Sequence, residues 1–234
     1  MDMEDADVPR LLRTIRQFDL VNRLFSRSQN TLWKLVIKPN IKETKSISIV
    51  DVGAGGGDIM RGLALQCRAA KIPCHITLLD NDRRILDQTK AACEAFPEIS
   101  VRPGTVWELN RLGRFDYVFC NHFLHHFSDS EIPNVLRTMY DAANGTLIVN
   151  DLRRSFFAYA AFTLFAGLFL HQSFAAYDGR LSIRKGFLEK ELEAFAQSAG
   201  LEACAKITRL APSRMLLIAV RPRPAIHSKQ EMSQ

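Results

Sequence analysis

The apolar run Ser46-Ile-Ser-Ile-Val-Asp-Val52 breaks into the glycine turn Gly53-Ala-Gly55-Gly56-Gly57-Asp58, and helical spacing follows as far as Ala70. A β-branched strand that is apolar at successive positions is buried on both faces, so this stretch reads as buried strand, turn and covering helix. The unit recurs. Cys74–Asp80 leads to a helix near Asp82 to Ala95, Ile99–Gly104 to a short polar helix, Phe115–Asn121 to a helix near Asp129 to Ala143, and Gly145–Asp151 to more helical sequence. Strands alternating with helices at this spacing form a parallel sheet covered on both sides. Near the end, Lys185–Gly200 is amphipathic, and two strand-like runs separated by Ala211 and Pro212 read as an antiparallel hairpin. Ahead of the first strand, helical spacing from Leu11 to Ile37 predicts two helices, closed by Pro39.

The expected fold is therefore an α/β, Rossmann-like doubly wound sheet, mostly parallel, with an antiparallel C-terminal hairpin, N-terminal helices and a helical lid insertion. Residues 1–45 are expected to carry a tail and the cap helices, 46–221 the main domain with its apolar insertion at 152–184, and 222–234 a mobile tail; Met1 to Pro9 are also expected to be mobile. At 234 residues the chain is long enough for one large domain, and its 47% apolar and 24% charged residues exclude collagen-like and wholly disordered chains. The net charge of +6 would help contact with an anionic partner without requiring one. Five cysteines, Cys67, Cys74, Cys93, Cys120 and Cys204, have no paired short spacing. They suit reduced thiols better than a disulfide framework or a zinc site, and no metal site is expected. An acidic N-terminus is the opposite of a secretory signal, so a cytoplasmic protein is expected.

Glycines at the turn let backbone N–H groups approach a ligand, as in nucleotide-binding folds. A dinucleotide fingerprint needs a third glycine where this chain has Asp58, whose carboxylate would stand against a pyrophosphate. The acidic turn suits a cationic adenosine cofactor, and S-adenosylmethionine carries a sulfonium and an ammonium but no phosphate. Taken alone, the turn is equally well an ordinary connection with Asp58 capping a helix. A second acid, Asp80, ends the next strand, where a carboxylate can accept both hydroxyls of a ribose.

In this order DVGAGGGD, LLDND and FDYVFCNHFLHHF resemble the class I S-adenosylmethionine-dependent methyltransferases, over about Ser46 to Val220. The resemblance implies that Asp51, Gly53, Gly55 and Gly57 hold the methionine end, Asp80 with Asn81 the ribose, and Gly104, Thr105 and Val106 the adenine. It also implies that Asn121 lies where cofactor and acceptor meet. Many members have an Asp where this chain has Thr105, which leaves the backbone to hold the adenine. Phe18–Lys34 is similar to the stretch that precedes the fold in ubiquinone and menaquinone C-methyltransferases, which implies contact of Asn22 or Arg23 with the cofactor. An amphipathic helix that merely packs on the sheet is the alternative.

Methyl transfer is an in-line displacement, and a base is needed only for acceptors such as phenols. Small-molecule O-methyltransferases that resemble this chain share a His-His pair and an acid ending the fifth strand, matched here by His125, His126 and Asp151; such an acid can fix a histidine tautomer. A pair of this kind is also often structural. The 23 residues between Arg154 and Asp178 contain no Asp, Glu, Lys or Arg, long enough for a membrane span. Their place between two strands of one sheet favours instead a lid over an apolar pocket, with His171 and Gln172 facing the acceptor and Phe162 and Phe169 selecting lipophilic substrates; such a lid could rest on a membrane surface. The expected function is methyl transfer to a small lipophilic aromatic acceptor, phenolic or quinol-like, with O-methylation preferred over C-methylation. A nucleic-acid methyltransferase is the weaker enzyme alternative, since no aromatic tetrad follows the fourth strand and no nucleic-acid partner is expected. A non-catalytic cofactor-binding protein or a membrane-associated assembly protein is the alternative of another class.

Overall fold

The computed structural model describes residues 8–42 and 45–222. The expectation of mobile ends therefore lies outside the described residues at 1–7 and 223–234. Pro9 is helical, and Arg221 is tied to the domain, its guanidinium donating to the carbonyls of Ala143 (2.8 Å) and Tyr140 (2.9 Å).

Seven strands form one sheet in the order β3-β2-β1-β4-β5-β7-β6. β1 (Ile47–Val52), β2 (Cys74–Asp80), β3 (Ile99–Pro103), β4 (Phe115–Asn121) and β5 (Ala143–Leu152) are parallel. β7 (Arg214–Val220) runs antiparallel to both β5 and β6 (Ala205–Leu210), so the C-terminal hairpin inserts its second strand next to the parallel set. Alternation along each strand divides the core. Val50, Val118, Cys120, Leu147, Val149, Met215 and Leu217 face α6 (Ile132–Ala142) and α9 (Glu189–Ser198). Their neighbours Ile49, Phe119, Ile148 and Leu216 join the opposite core, with Met60 and Leu63 of α4 (Asp58–Ala70). Burial on both faces explains the continuous apolar runs.

Strand order reverses between β1 and β4, which opens a crevice at the carboxyl edge. Over it lies the N-terminal section: α1 (Val8–Val21), a wider helical turn (Asn22–Ser26), then α2 (Ser28–Leu32), a second wide turn (Trp33–Ile37) and α3 (Lys38–Asn40). The break between the two helical stretches falls at Arg27, whose φ is +53°. The uncharged segment after β5 is also broken. α7 (Phe156–Phe169) stops at Leu170, and α8 (Ala175–Lys185) begins after a turn. Among the described residues no helix is long and apolar enough to cross a membrane.

A buried polar knot joins the N-terminal section to the sheet. Ser28 Oγ donates to Asn121 Oδ1 (3.0 Å) and accepts from Asn150 Nδ2 (2.9 Å), which also donates to the Ser26 carbonyl (2.9 Å). Buried amides left without partners cost about 1–3 kcal/mol. Ser28→Ala should therefore lower unfolding stability by about that amount in a denaturant titration, whereas replacing the exposed Asn30 should change little.

Candidate active site

A cavity of about 1270 Å³ runs along the carboxyl edge beneath α1, α7 and α8. One end is acidic. Asp51 is the last residue but one of β1, Asp80 closes β2, Asp58 opens α4, and Asp19 comes down from α1; all four line the cavity. The Asp80 carboxylate accepts the Gly55 N–H (2.8 Å) and the Asp82 N–H (2.9 Å), so it braces two loops while leaving lone pairs for a ligand. Gly53, at φ +71°, lies so close to Phe123 that a Cβ would come within 2.3 Å of its ring. A Cβ on Gly55 (φ +54°) would meet no atom within 4 Å, so its backbone borders open space.

Each acid holds its proton more tightly than usual. Burial is the main cause for Asp51, whose pKa lies well above the carboxylate range and is raised further by Asp58 and Asp80. Burial also raises Asp58, against Arg61 and a hydrogen bond from Asn22, and raises Asp80 against the backbone N–H groups it accepts. Asp19 reaches about 6 through burial and the charge of Asp58. Asp51 Oδ1 is buried without a hydrogen-bond partner among the described residues. A crowded carboxylate set with an unused acceptor calls for a cation.

The middle of the cavity carries the histidines. β4 ends at Asn121, the chain turns at His122 (φ +55°), and a helical turn, Leu124–His126, follows. His125 Nδ1 lies 2.7 Å from Asp151 Oδ1, and both side chains are buried. Asp151 also accepts the N–H groups of Leu124 (2.8 Å), His125 (3.3 Å) and Leu152 (2.7 Å). Burial pushes the Asp151 carboxyl up, but His125 and these donors outweigh it and leave it below the ordinary range. His125 Nε2 has no partner among the described residues. His126 is exposed and lies against the His125 ring, with centroids 4.5 Å apart. His122 is held neutral by burial and by Arg214, and its Nε2 meets the Arg214 guanidinium.

The other expected residues lie in different places. Asn81 lines the acidic end beside Asp80, and Asn22 lines it from above. Asn121 also lines the cavity, but its amide is engaged by Ser28, Arg214 and Asn22. Gly57, Thr105 and Val106 do not line it: a Cβ on Gly57 would meet Leu78, Val106 is buried, and the Thr105 hydroxyl and N–H both donate to Glu108. The side chain of Arg23 is not described.

His171 and Gln172 do not face the cavity. The break after α7 carries them to its far side, where the His171 carbonyl accepts from Gln17 and the Gln172 side chain from Arg13. Phe169 is exposed and off the cavity wall, whereas Phe157, Phe162 and Phe165 line it. Sequence reasoning missed Asp19 and Arg214. The one available signal for Arg214 was a lone guanidinium at the head of an otherwise apolar strand.

S-adenosylmethionine fits the acidic end on these grounds: an unused buried acceptor at Asp51, carboxylates that favour a cation, and open backbone at Gly55. Protons and a cationic ligand compete for these acids. Because their pKa values are raised in the fold, the ligand-free protein gains stability as pH falls through them and loses it as pH rises. Cation affinity runs the other way. Titration calorimetry should find S-adenosylmethionine binding weakening as pH drops through about 6, and S-adenosylhomocysteine, which lacks the sulfonium charge, changing less. Matching pH profiles would count against the acids serving the charge. Asp80→Ala should weaken either ligand by roughly ten- to hundredfold, the worth of hydrogen bonds to a charged acceptor.

Residues 49–145 match the model of a family described as a methyltransferase domain. No curated protein sequence matches the chain significantly. Among solved structures, a candidate O-methyltransferase of Nostoc punctiforme aligns with a TM-score of 0.61 and 18% identity, over 89% of this chain and 60% of that one. Human N-acetylserotonin methyltransferase bound to S-adenosylmethionine aligns at 0.63 and 15%, over 90% and 56%. Magnesium protoporphyrin IX methyltransferase of Synechocystis bound to S-adenosylhomocysteine aligns at 0.59 and 15%, over 95% and 90%. The chain thus spans less than two thirds of the first two, and at such identities these likenesses speak for the fold. Sheet order and matched segment agree: residues 49–145 are similar to a methyltransferase domain, and the seven-stranded sheet has the fold of these solved methyltransferases.

Proposed function

We propose that the chain methylates an oxygen of a small lipophilic phenolic acceptor, with His125 as the base. The observation that carries this reading is the buried His125–Asp151 pair, 2.7 Å apart, in which His125 lines the cavity and its remaining imidazole nitrogen has no partner among the described residues. The carboxylate accepts the Nδ1–H hydrogen bond and so holds the tautomer in which Nε2 is free to accept the phenol proton. His126 stacks on the base and limits its rotation. S-adenosylmethionine supplies an electrophilic methyl group on a sulfonium; the acids at one end and the aromatic walls at the other hold donor and acceptor in line. A cavity of about 1270 Å³ exceeds the usual small-molecule pocket of roughly 300–1,000 Å³, which leaves room for both. Phe123, Phe127, Phe157, Phe162 and Phe165 suit an aromatic, apolar acceptor. The human and Synechocystis relatives, by their names, act on small ring compounds, which supports the same substrate class.

His125→Ala should lower kcat by about 10²- to 10⁴-fold, the usual worth of a positioned base, and leave cofactor affinity unchanged. The loss should shrink for a nitrophenol, which ionises without help. Asp151→Asn should reproduce most of the defect; an unchanged kcat in both variants would end the proposal. The Phe162 ring is seated on α8 at Gly179, where a Cβ would come within 2.2 Å of it. Phe162→Asp should therefore raise KM for alkyl-substituted phenols by at least about tenfold and spare unsubstituted phenol and cofactor binding.

A further inference from the structure

β7 begins with Arg214, whose neighbours along the strand are apolar, and the antiparallel pairing sets it beside Leu152 at the end of β5. Its side chain is carried inside the molecule, at 2% exposure, and lines the cavity. Removing a guanidinium from water is expensive unless an anion compensates. None does so by contact. Among the described residues no carboxylate lies within ion-pair distance of Arg214, and its partners are neutral: Asn121 Oδ1 at 2.8 Å and the ring of His122. Asp151 acts on it only through space, since that carboxylate is already taken up by His125 and three backbone N–H groups. Arg214 Nε is buried without any hydrogen-bond partner. Desolvation accordingly drags the guanidinium down to about 10, a measure of how poorly its charge is compensated.

The position of this charge specifies its ligand. Arg214 touches His122, and the His122 and His125 rings have centroids 6.1 Å apart. A donor for an anion thus lies on the same cavity wall as the proposed base, with His122 touching the one and facing the other. Arg153 shares the cavity wall, and the acids of the cofactor end stand at β1 and β2, across β4 and β5 from β7.

We propose that Arg214 is a specificity residue that binds a carboxylate carried by the acceptor, so that the substrate class is a hydroxylated, alkyl-substituted aromatic acid. This rests on reading the cavity as the acceptor pocket. The buried Nε–H and the edge of the guanidinium take the carboxylate, and the ring places its hydroxyl toward His125 Nε2.

The test is a pair of probes, 3-hydroxy-5-pentylbenzoate and 3-pentylphenol, titrated calorimetrically into the full chain saturated with S-adenosylhomocysteine. The acid should bind roughly ten- to hundredfold more tightly, the worth of a charge-assisted hydrogen bond. In Arg214→Gln that advantage should vanish while the phenol binds as before, and Arg214→Lys should restore part of it. Equal binding of the two probes to the wild-type protein overturns the proposal and needs no variant to fold. So does an advantage that survives in Arg214→Gln, or a loss confined to S-adenosylmethionine, which would give the guanidinium to the cofactor's own carboxylate. Mass detection of the methylated product separates the two readings: acid-selective binding without ether formation removes O-methylation alone, and ether formation from both probes at equal affinity removes the carboxylate site alone.

Discussion

Asp151 is fully buried, and its two oxygens accept one imidazole and three backbone N–H groups. A carboxylate costs several kcal/mol to bury, so it stays charged there only because every lone pair is used. The donors serve three constraints. Leu124 and His125 N–H groups fix the helical turn after β4, Leu152 fixes the end of β5, and the ring of His125 is held through Nδ1. The histidine part of the crevice is thus assembled by one side chain at the end of the fifth strand.

The acidic end follows the opposite principle. Asp19, Asp51, Asp58 and Asp80 are each raised by burial, and Asp19, Asp51 and Asp80 also by a neighbouring acid. The fold tolerates this because parallel strands with a fixed register bring Asp51 and Asp80 to one edge whatever their charge. A site that repels itself when empty is preorganised for a positive ligand, since no reorientation is needed when the ligand arrives. Arg214 stands in the same relation to a negative one.

Much of this was legible in sequence wherever a local rule governs. Continuous β-branched runs marked the buried strands, the glycine turn marked the first crossover, and Asp51 and Asp80 followed from the rule that ligands lie at strand ends. The hairpin was legible from two strand-like runs and a short break. What escaped depends on contacts made across the fold. Arg214 meets Asn121 across 93 positions of sequence, and no periodicity links them. His171, Gln172 and Phe169 were misplaced because a single continuous cover was expected, whereas the chain breaks at Leu170 and turns these residues outward. Thr105 was read from its position after β3, and the contact that its side chain makes is a local one, its hydroxyl donating to Glu108 three residues on in a capping interaction.

The cover over the crevice is also the least consolidated part of the molecule. Its apolar seam contains four buried residues, Val21, Ala166, Leu170 and Ala175, supplemented by hydrogen bonds such as Phe174 N–H to Thr14 Oγ1 at 2.9 Å and Gln17 Nε2 to the His171 carbonyl at 3.0 Å. The two sheet cores are several times larger. Opening free energy scales with the buried apolar contact that is lost, so α1 and α7 separate from each other at far lower cost than either core opens. α7 also leaves Phe156, Phe157 and Leu164 largely exposed, so both its faces are apolar. An element held by a thin seam and apolar on both faces is tied to the fold chiefly through α1 and α8, while the acidic end of the crevice is roofed by α1 and the turn after it.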